Sequence, residues 1–224
     1  MPSAFPQVKI VEGLEGAAGA FGHVVIIDVL RAFTTAAYAF AAGAETIELV
    51  ATPEEALARP GWRMGEVGGR LIPGFDHNNS PSQLIGKRVP PRVVQRTGAG
   101  TRCAVLAAPR AESLWLASLV VVSATARALK GLNPVTLVVS GAPDEGEEDR
   151  ACAALLEALL TGTPPDFEQA VREVRSSRAA ANHAAGDTDR PLEDIAAAVD
   201  TDRFPFAMRA TLADRRLSAT CVQA

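Results

Sequence analysis

An aspartate, an arginine and two threonines fall within eight residues, at Asp28, Arg31, Thr34 and Thr35. A carboxylate can hold a cation, and a guanidinium with hydroxyls can hold an anion. The spacing therefore offers chemistry for a metal and an anion. It also suits a capping aspartate beside a solvated arginine, and on spacing alone both readings stand. A second candidate runs from Gly65-Glu66 through Gly74-Phe75-Asp76-His77-Asn78-Asn79-Ser80-Pro81. Its glycines let backbone approach a ligand closely, and Glu66 and Asp76 offer hard oxygens of the kind Mg²⁺ takes. Capping explains Ser80 equally well but leaves Glu66 unexplained. A third is Thr97-Gly98-Ala99-Gly100-Thr101-Arg102, a glycine turn that can present N–H groups and a positive helix end to an anion. It is not a dinucleotide fingerprint, because Cys103 stands at the third glycine position. The fourth, residues 144–149, packs five carboxylates into six residues. Favourable charge at a helix N-terminus accounts for Asp144, Glu145 and Glu147.

The elements that must position these residues follow from local pattern. Val24, Val25, Ile26 and Ile27 form an unbroken β-branched run, which predicts a strand buried on both faces. Asp28 then sits at the carboxyl end of a central strand, where open α/β sheets place ligands. The alanine-rich segment after it predicts a helix closing at Gly43. Strands are expected over 7–11, 46–51, 62–67, 92–95, 113–118 and 135–140, with a Gly/Ala-rich connection over 12–22. Thr52-Pro53-Glu54-Glu55 reads as a capping box. Ser80, with Pro81 and Gln83 after it, reads as a second N-cap. Helices are expected over 102–108, 124–130 and 147–160, the last with Cys152, Leu155, Leu156, Leu159 and Leu160 on one face. Beyond them come an alanine-rich helix over 166–185, a polar break, a short helix over 191–199 and a closing strand over 217–222. No internal repeat is present. The alternation predicts an α/β fold: three α/β/α layers around a mixed, largely parallel central sheet. One domain spans 1–224, with the part from 164 to 224 mostly helical.

Composition narrows the classes. With 48% hydrophobic residues, the 224-residue chain can bury a sizeable core, and a net charge of −4 argues against a nucleic-acid footprint. No apolar run is long enough to span a bilayer, and the N-terminal stretch shows no leader pattern. Cys103, Cys152 and Cys221 lack zinc-like spacing and suit reduced thiols in a cytoplasmic protein. Asp28 is followed by Val29-Leu30, so the D-x-D motif of dehalogenase-type phosphatases is absent. Cys103 and Arg110 lie one residue too far apart for a cysteine-phosphatase loop, and no Walker A lysine loop occurs. The three histidines are scattered, and His77 reads as a surface or capping residue.

Four stretches in order carry a family resemblance. The run from Asp28 to Thr35, Gly65-Glu66, the loop from Gly74 to Pro81, and Glu148-Asp149-Arg150-Ala151-Cys152-Ala153 resemble motifs of the 2-phosphosulfolactate phosphatase family. The resemblance covers about two-thirds of the chain and implies an α/β fold, Mg²⁺-dependent phosphatase activity and the substrate (2R)-2-phospho-3-sulfolactate. Under it, Asp28, Glu66 and Asp149 are expected to hold Mg²⁺. Arg31 and the loop of Thr97, Gly98, Gly100 and Thr101 would hold the phosphate. Thr34, Thr35, Asn79, Ser80 and Arg102 would orient the rest of the substrate, and Asp76 would be a general base or support the metal. The expected partner is a small anionic substrate, with no nucleic acid or membrane, in a homodimer. The chain departs from the family pattern at His77, Asn78, Gly98 and Ala99. A binding protein for a small phosphorylated or sulfonated acid is the alternative, and a structural protein that kept only the fold is a third.

Overall fold

The computed structural model describes residues 5–141 and 144–223; residues 1–4 of the stretch read for a leader lie outside it. The chain opens with β1 (Val8–Glu12), α1 (Gly13–Gly19), β2 (Gly22–Ile27), α2 (Ala32–Ala41), β3 (Thr46–Leu49) and α3 (Pro53–Ala58). Next come β4 (Trp62–Val67), β5 (Arg70–Leu71), a 3₁₀ turn at Ser82–Leu84, β6 (Arg92–Arg96) and α4 (Gly100–Ala107). They are followed by β7 (Ala111–Ala117), a 3₁₀ turn at Leu119–Val121, α5 (Val122–Ala128), β8 (Val135–Val139) and α6 (Glu147–Thr161). The chain ends with α7 (Phe167–Ser176), α8 (Arg178–Ala181), α9 (Glu193–Ala198), β9 (Phe206–Ala213) and β10 (Arg216–Gln223).

The strands form one mixed sheet ordered β1-β8-β2-β7-β9-β10-β3-β6-β4-β5. β1, β8, β2 and β7 pair in parallel, as do β3, β6 and β4. The antiparallel hairpin β9–β10 joins the two blocks. β2 is covered on both faces. Val24 and Ile26 belong to the apolar cluster of α2 and α4, while Val25 and Ile27 meet the cluster of α5, α6 and α7. These are the three α/β/α layers. From Ala32 to Phe40 every residue of α2 is buried, as befits a helix apolar all round. Its threonines fit because their hydroxyls turn back to backbone: Thr34 donates to Val29 O at 2.7 Å and Thr35 to Arg31 O at 2.8 Å.

The three antiparallel steps at the hairpin would set the two parallel blocks in opposite directions if the sheet were flat. Yet the backbone N–H of Gly100, just beyond β6, donates to Asp28, just beyond β2. The sheet therefore curls. A twist of about 20–25° per strand over the five steps from β2 to β6 accumulates roughly 100–125°, and two-stranded ribbons add more. The curl wraps β2, β7, β9, β10, β3 and β6 around α2 and brings the carboxyl ends of both blocks to one cleft.

Several expectations are corrected. The connection over 12–22 contains α1. The single helix over 166–185 is broken at Ser177, whose hydroxyl accepts from Ala180 N and starts α8. The part after 164 is not mostly helical, since β9 and β10 lie in the middle of the sheet. Ser80 caps nothing: the turn after it is a short 3₁₀ segment, and its hydroxyl donates to Asp194 at 2.7 Å. The capping box at Thr52 and Glu55 is present in both halves.

Candidate active site

Asp28 and Asp149 meet at Ser140. Asp28 leaves β2 with Oδ1 accepting from Ala32 N at 2.7 Å and Oδ2 accepting from Gly100 N at 3.1 Å. Asp149, in the first turn of α6, accepts from Val29 N through Oδ1 at 2.7 Å and from Gly141 N through Oδ2 at 3.3 Å. The Ser140 hydroxyl, at the end of β8, lies 3.1 Å from Oδ2 of each aspartate. It has one proton to give, so it donates to only one of the two carboxylates at a time. A proton or a cation between the aspartates would relieve the repulsion of two ionised groups held this close.

The electrostatics agree. Burial raises the pKa of Asp28 against the opposing hydrogen bonds from Ala32 and Ser140, and Glu66 adds to the rise. Burial, then the neighbouring Asp28 and Glu148, push Asp149 well above the ordinary carboxylate range. Burial pushes Glu148 up to about 7, with Asp28 and Glu147 contributing. Its buried Oε2 has no hydrogen-bond partner among the described residues. Like charges crowded out of water disfavour ionisation.

Two adjoining cavities open on this cluster. One, of about 530 Å³, is walled by Asp28, Glu148, Asp149 and Ser140. The other, of about 620 Å³, shares Ser140 and Ala99 and adds Arg31, Glu66, Asn79 and His183. Glu66 fastens both glycine loops, accepting from Gly69 N at 2.6 Å and from Gly98 N at 2.5 Å. Arg31 is buried. Its Nη1 donates to Asp194 Oδ2 at 2.8 Å and to the Asp189 carbonyl at 2.5 Å, and Nη2 donates to Gly69 O at 3.3 Å. Asp194, fully buried in α9, also accepts from Ser80 and Ser82. A buried ion pair of this kind is held by its full set of hydrogen bonds.

The other expected residues divide. Asn79 and Gly98 line the larger cavity. Thr97 and Thr101 lock each other, with Thr97 N donating to Thr101 Oγ1 at 2.8 Å and Thr101 N to Thr97 Oγ1 at 3.1 Å. Thr34 and Thr35 are fully buried and line neither cavity. Ser80 serves Asp194. Arg102 is exposed and donates to Gly98 O at 3.3 Å. Asp76 is exposed and lines neither cavity; its Oδ2 accepts from Arg63 N at 2.8 Å, a loop fastening rather than a base position. His77 is buried, stacked on Trp62 at 5.3 Å, and so is not a surface residue. Ser140, Glu148 and Asp194 were missed as site residues. Glu148 stood in a motif already singled out, whereas a lone serine after a strand gives no local signal.

Fold and site together define an α/β protein with a carboxylate-walled cleft at its strand ends. The chain belongs to the 2-phosphosulpholactate phosphatase family, whose sequence pattern matches residues 9–205. It is 35% identical over 147 residues to a Bacillus subtilis protein named "Probable 2-phosphosulfolactate phosphatase", covering 62% of this chain and 64% of that one. It is 39% identical over 144 residues to a Thermus thermophilus protein of the same name, covering 61% of each. A Deinococcus radiodurans protein, also so named, is 45% identical over 109 residues, covering 46% of this chain and 45% of that one. The chain thus spans less than two thirds of the length of these relatives. Among the described residues no helix is long and apolar enough to cross a membrane.

Proposed function

We propose that the chain hydrolyses the phosphate monoester of a small anionic 2-phospho acid, of the class of (2R)-2-phospho-3-sulfolactate, with Mg²⁺ as its resident ion. The observation that carries this reading is the Ser140 hydroxyl shared between Asp28 and Asp149, beside a Glu148 Oε2 without a partner among the described residues. Family membership supplies the reaction class.

The donor set fits the ion. Among the described residues no three acidic, histidine or cysteine side chains already stand as a ready cage. Mg²⁺ keeps several waters and commonly needs only one or two carboxylates. Asp28 and Asp149 would hold it, with Glu148 beside them; the two Glu66 oxygens are engaged by Gly69 and Gly98, so Glu66 supports the wall. When bound, Mg²⁺ supplies positive charge against the phosphoryl oxygens and lowers the pKa of a coordinated water.

The chain's own groups do the positioning. Ser140 keeps the two aspartates turned toward one point. Burial and mutual repulsion favour a retained proton on this acid cluster, and a bound cation would compete with it for the same oxygens. Ala99, at the start of α4, sets a positive helix end against both cavities. Arg31, clamped by Asp194, adds fixed cationic charge to the wall. A screen of phosphate release from a panel of 2-phospho acids tests the reading. Release from at least one 2-phospho-3-sulfo or 2-phospho-carboxylic acid is expected. Tight binding of these acids without release would favour a binding protein instead.

A further inference from the structure

The larger cavity holds a histidine that the reading above does not use. His183 follows α8 and is 9% exposed. Its Nδ1 lies 3.0 Å from Ala179 O. A carbonyl only accepts, so Nδ1 carries the hydrogen, and in the neutral ring Nε2 keeps a bare lone pair. That Nε2 is buried and has no hydrogen-bond partner among the described residues. A buried polar atom left unmatched is unfavourable, so the position asks for a partner that the described residues do not provide. His183 lines the cavity together with Arg31 and Arg190.

We propose that His183, with Arg31 and Arg190, forms an anion-receiving end of this cavity, and that its Nε2 takes up a proton as an oxyanion enters and donates it in a hydrogen bond. No covalent bond forms or breaks in this step. The proton comes from solvent and stays shared between Nε2 and the anion oxygen. The inference rests on the proposed function only in taking this cavity as the substrate site.

The local charges set the direction. Burial holds the free imidazole below its ordinary pKa; Arg31 and Arg190 lower it further, while Asp194 and the Ala179 carbonyl act the other way. At neutral pH the free ring is therefore uncharged. An anion placed among the two guanidiniums offsets their field and favours the imidazolium. Arg31 is tied to Asp194, and Arg190 Nη2 donates to Gly68 O. Arg190 also packs so closely that a Cβ on Gly69 would lie 2.0 Å from its Nε. A substrate with two anionic groups would place one at each end.

Sulfate is a suitable probe, because it does not titrate near neutrality and needs no hydrolysis. Calorimetric titration of sulfate into the full chain, in EDTA and in buffers of differing ionisation enthalpy, reads the proton directly. The parent should take up about one proton per sulfate at neutral pH. Its affinity should fall about tenfold per pH unit between the free and bound pKa values of the ring. His183→Gln keeps a donor but cannot titrate, so it should bind sulfate with no proton uptake and little pH dependence. A thermal melt checks that variant's fold, and His183→Asn serves if it fails. Absence of sulfate binding to the parent, binding without proton uptake, or unchanged uptake in the variant would each overturn the proposal. Because the titration reads no turnover, its failure is distinct from a failure of the phosphatase reading.

Discussion

Gly100 has no side chain because Asp28 occupies the space. A Cβ there would lie 2.6 Å from Asp28 Oδ2 and 3.0 Å from Ala32 Cβ. Gly100→Ala must therefore push the carboxylate away or shift the start of α4. Overpacking of this kind costs about 1–3 kcal/mol, and a 1 Å displacement of a reacting group can cost about 100-fold in rate. We expect a lower melting temperature and a fall in kcat of that order, read from a thermal melt and a phosphate-release assay. The thiols give a second test. Burial, with Asp28 and Asp149 nearby, pushes Cys103 up to about 12, and burial raises Cys152 as well. Only Cys221 is exposed. Alkylation of the folded protein at neutral pH should label Cys221 alone, as mass spectrometry of the peptides would show. At this scale the sequence was informative where a residue stood beside a strong pattern. Asp28 closes an apolar run and Asp149 opens a helix. Ser140 was not legible, because its meaning lies in two partners 112 and 9 residues away. His183 was passed over because its unmatched nitrogen is a property of the packed state.

The capping box before α3 shows what local chemistry can fix. Thr52 Oγ1 accepts from Glu55 N at 3.2 Å, and Glu55 Oε2 accepts from Thr52 N at 3.3 Å. Thr52→Ala should cost about 1 kcal/mol, within the usual range for such caps, without changing turnover; a denaturant melt beside an activity assay checks both. The hairpin β9–β10 shows where pattern runs out. Its two-residue turn is Asp214-Arg215, both with positive φ, at 49° and 62°. This primed turn ordinarily calls for Asn-Gly or Asp-Gly, so no hairpin signal is legible at Asp214-Arg215 and β9 is not expected from pattern. Ser80-Pro81 misled in the opposite direction. It has the spacing of a cap, yet the Asp194 carboxylate, 114 residues away in sequence, takes the Ser80 hydroxyl. A long-range ionic network outweighed a local preference.

The whole molecule is a curled sheet that brings two sets of strand ends together, and the acid cluster is the consequence. Alternating strands and helices made the α/β class legible. The curl was not, because it depends on a hairpin inserted between two parallel blocks. The cluster should also govern stability against pH. Asp28, Glu148 and Asp149 keep protons to higher pH folded than unfolded. Where the folded state binds more protons, stability falls as pH rises. For Glu148 that window runs from the ordinary carboxylate range to about 7, and Asp149, raised in the same direction, adds to the fall. His77 and His183 have lowered pKa values and act oppositely, but only below their ordinary 6.5. In EDTA the melting temperature should therefore decline as pH rises above about 6.5, and added Mg²⁺ should restore it. A profile flat in that range and indifferent to Mg²⁺ would remove the acid cluster from the account.

If Asp28 and its neighbours hold a divalent ion for phosphate release, both the ion and the carboxylate are required for turnover. Phosphate release from a 2-phospho acid by the parent and by Asp28→Asn, each with Mg²⁺ and with EDTA, beside thermal melts, tests this. Turnover by the parent is expected only with Mg²⁺, none by the folded variant in either condition, and recovery of the parent when Mg²⁺ is returned. Full activity of the parent in EDTA, or of Asp28→Asn with Mg²⁺, would contradict it.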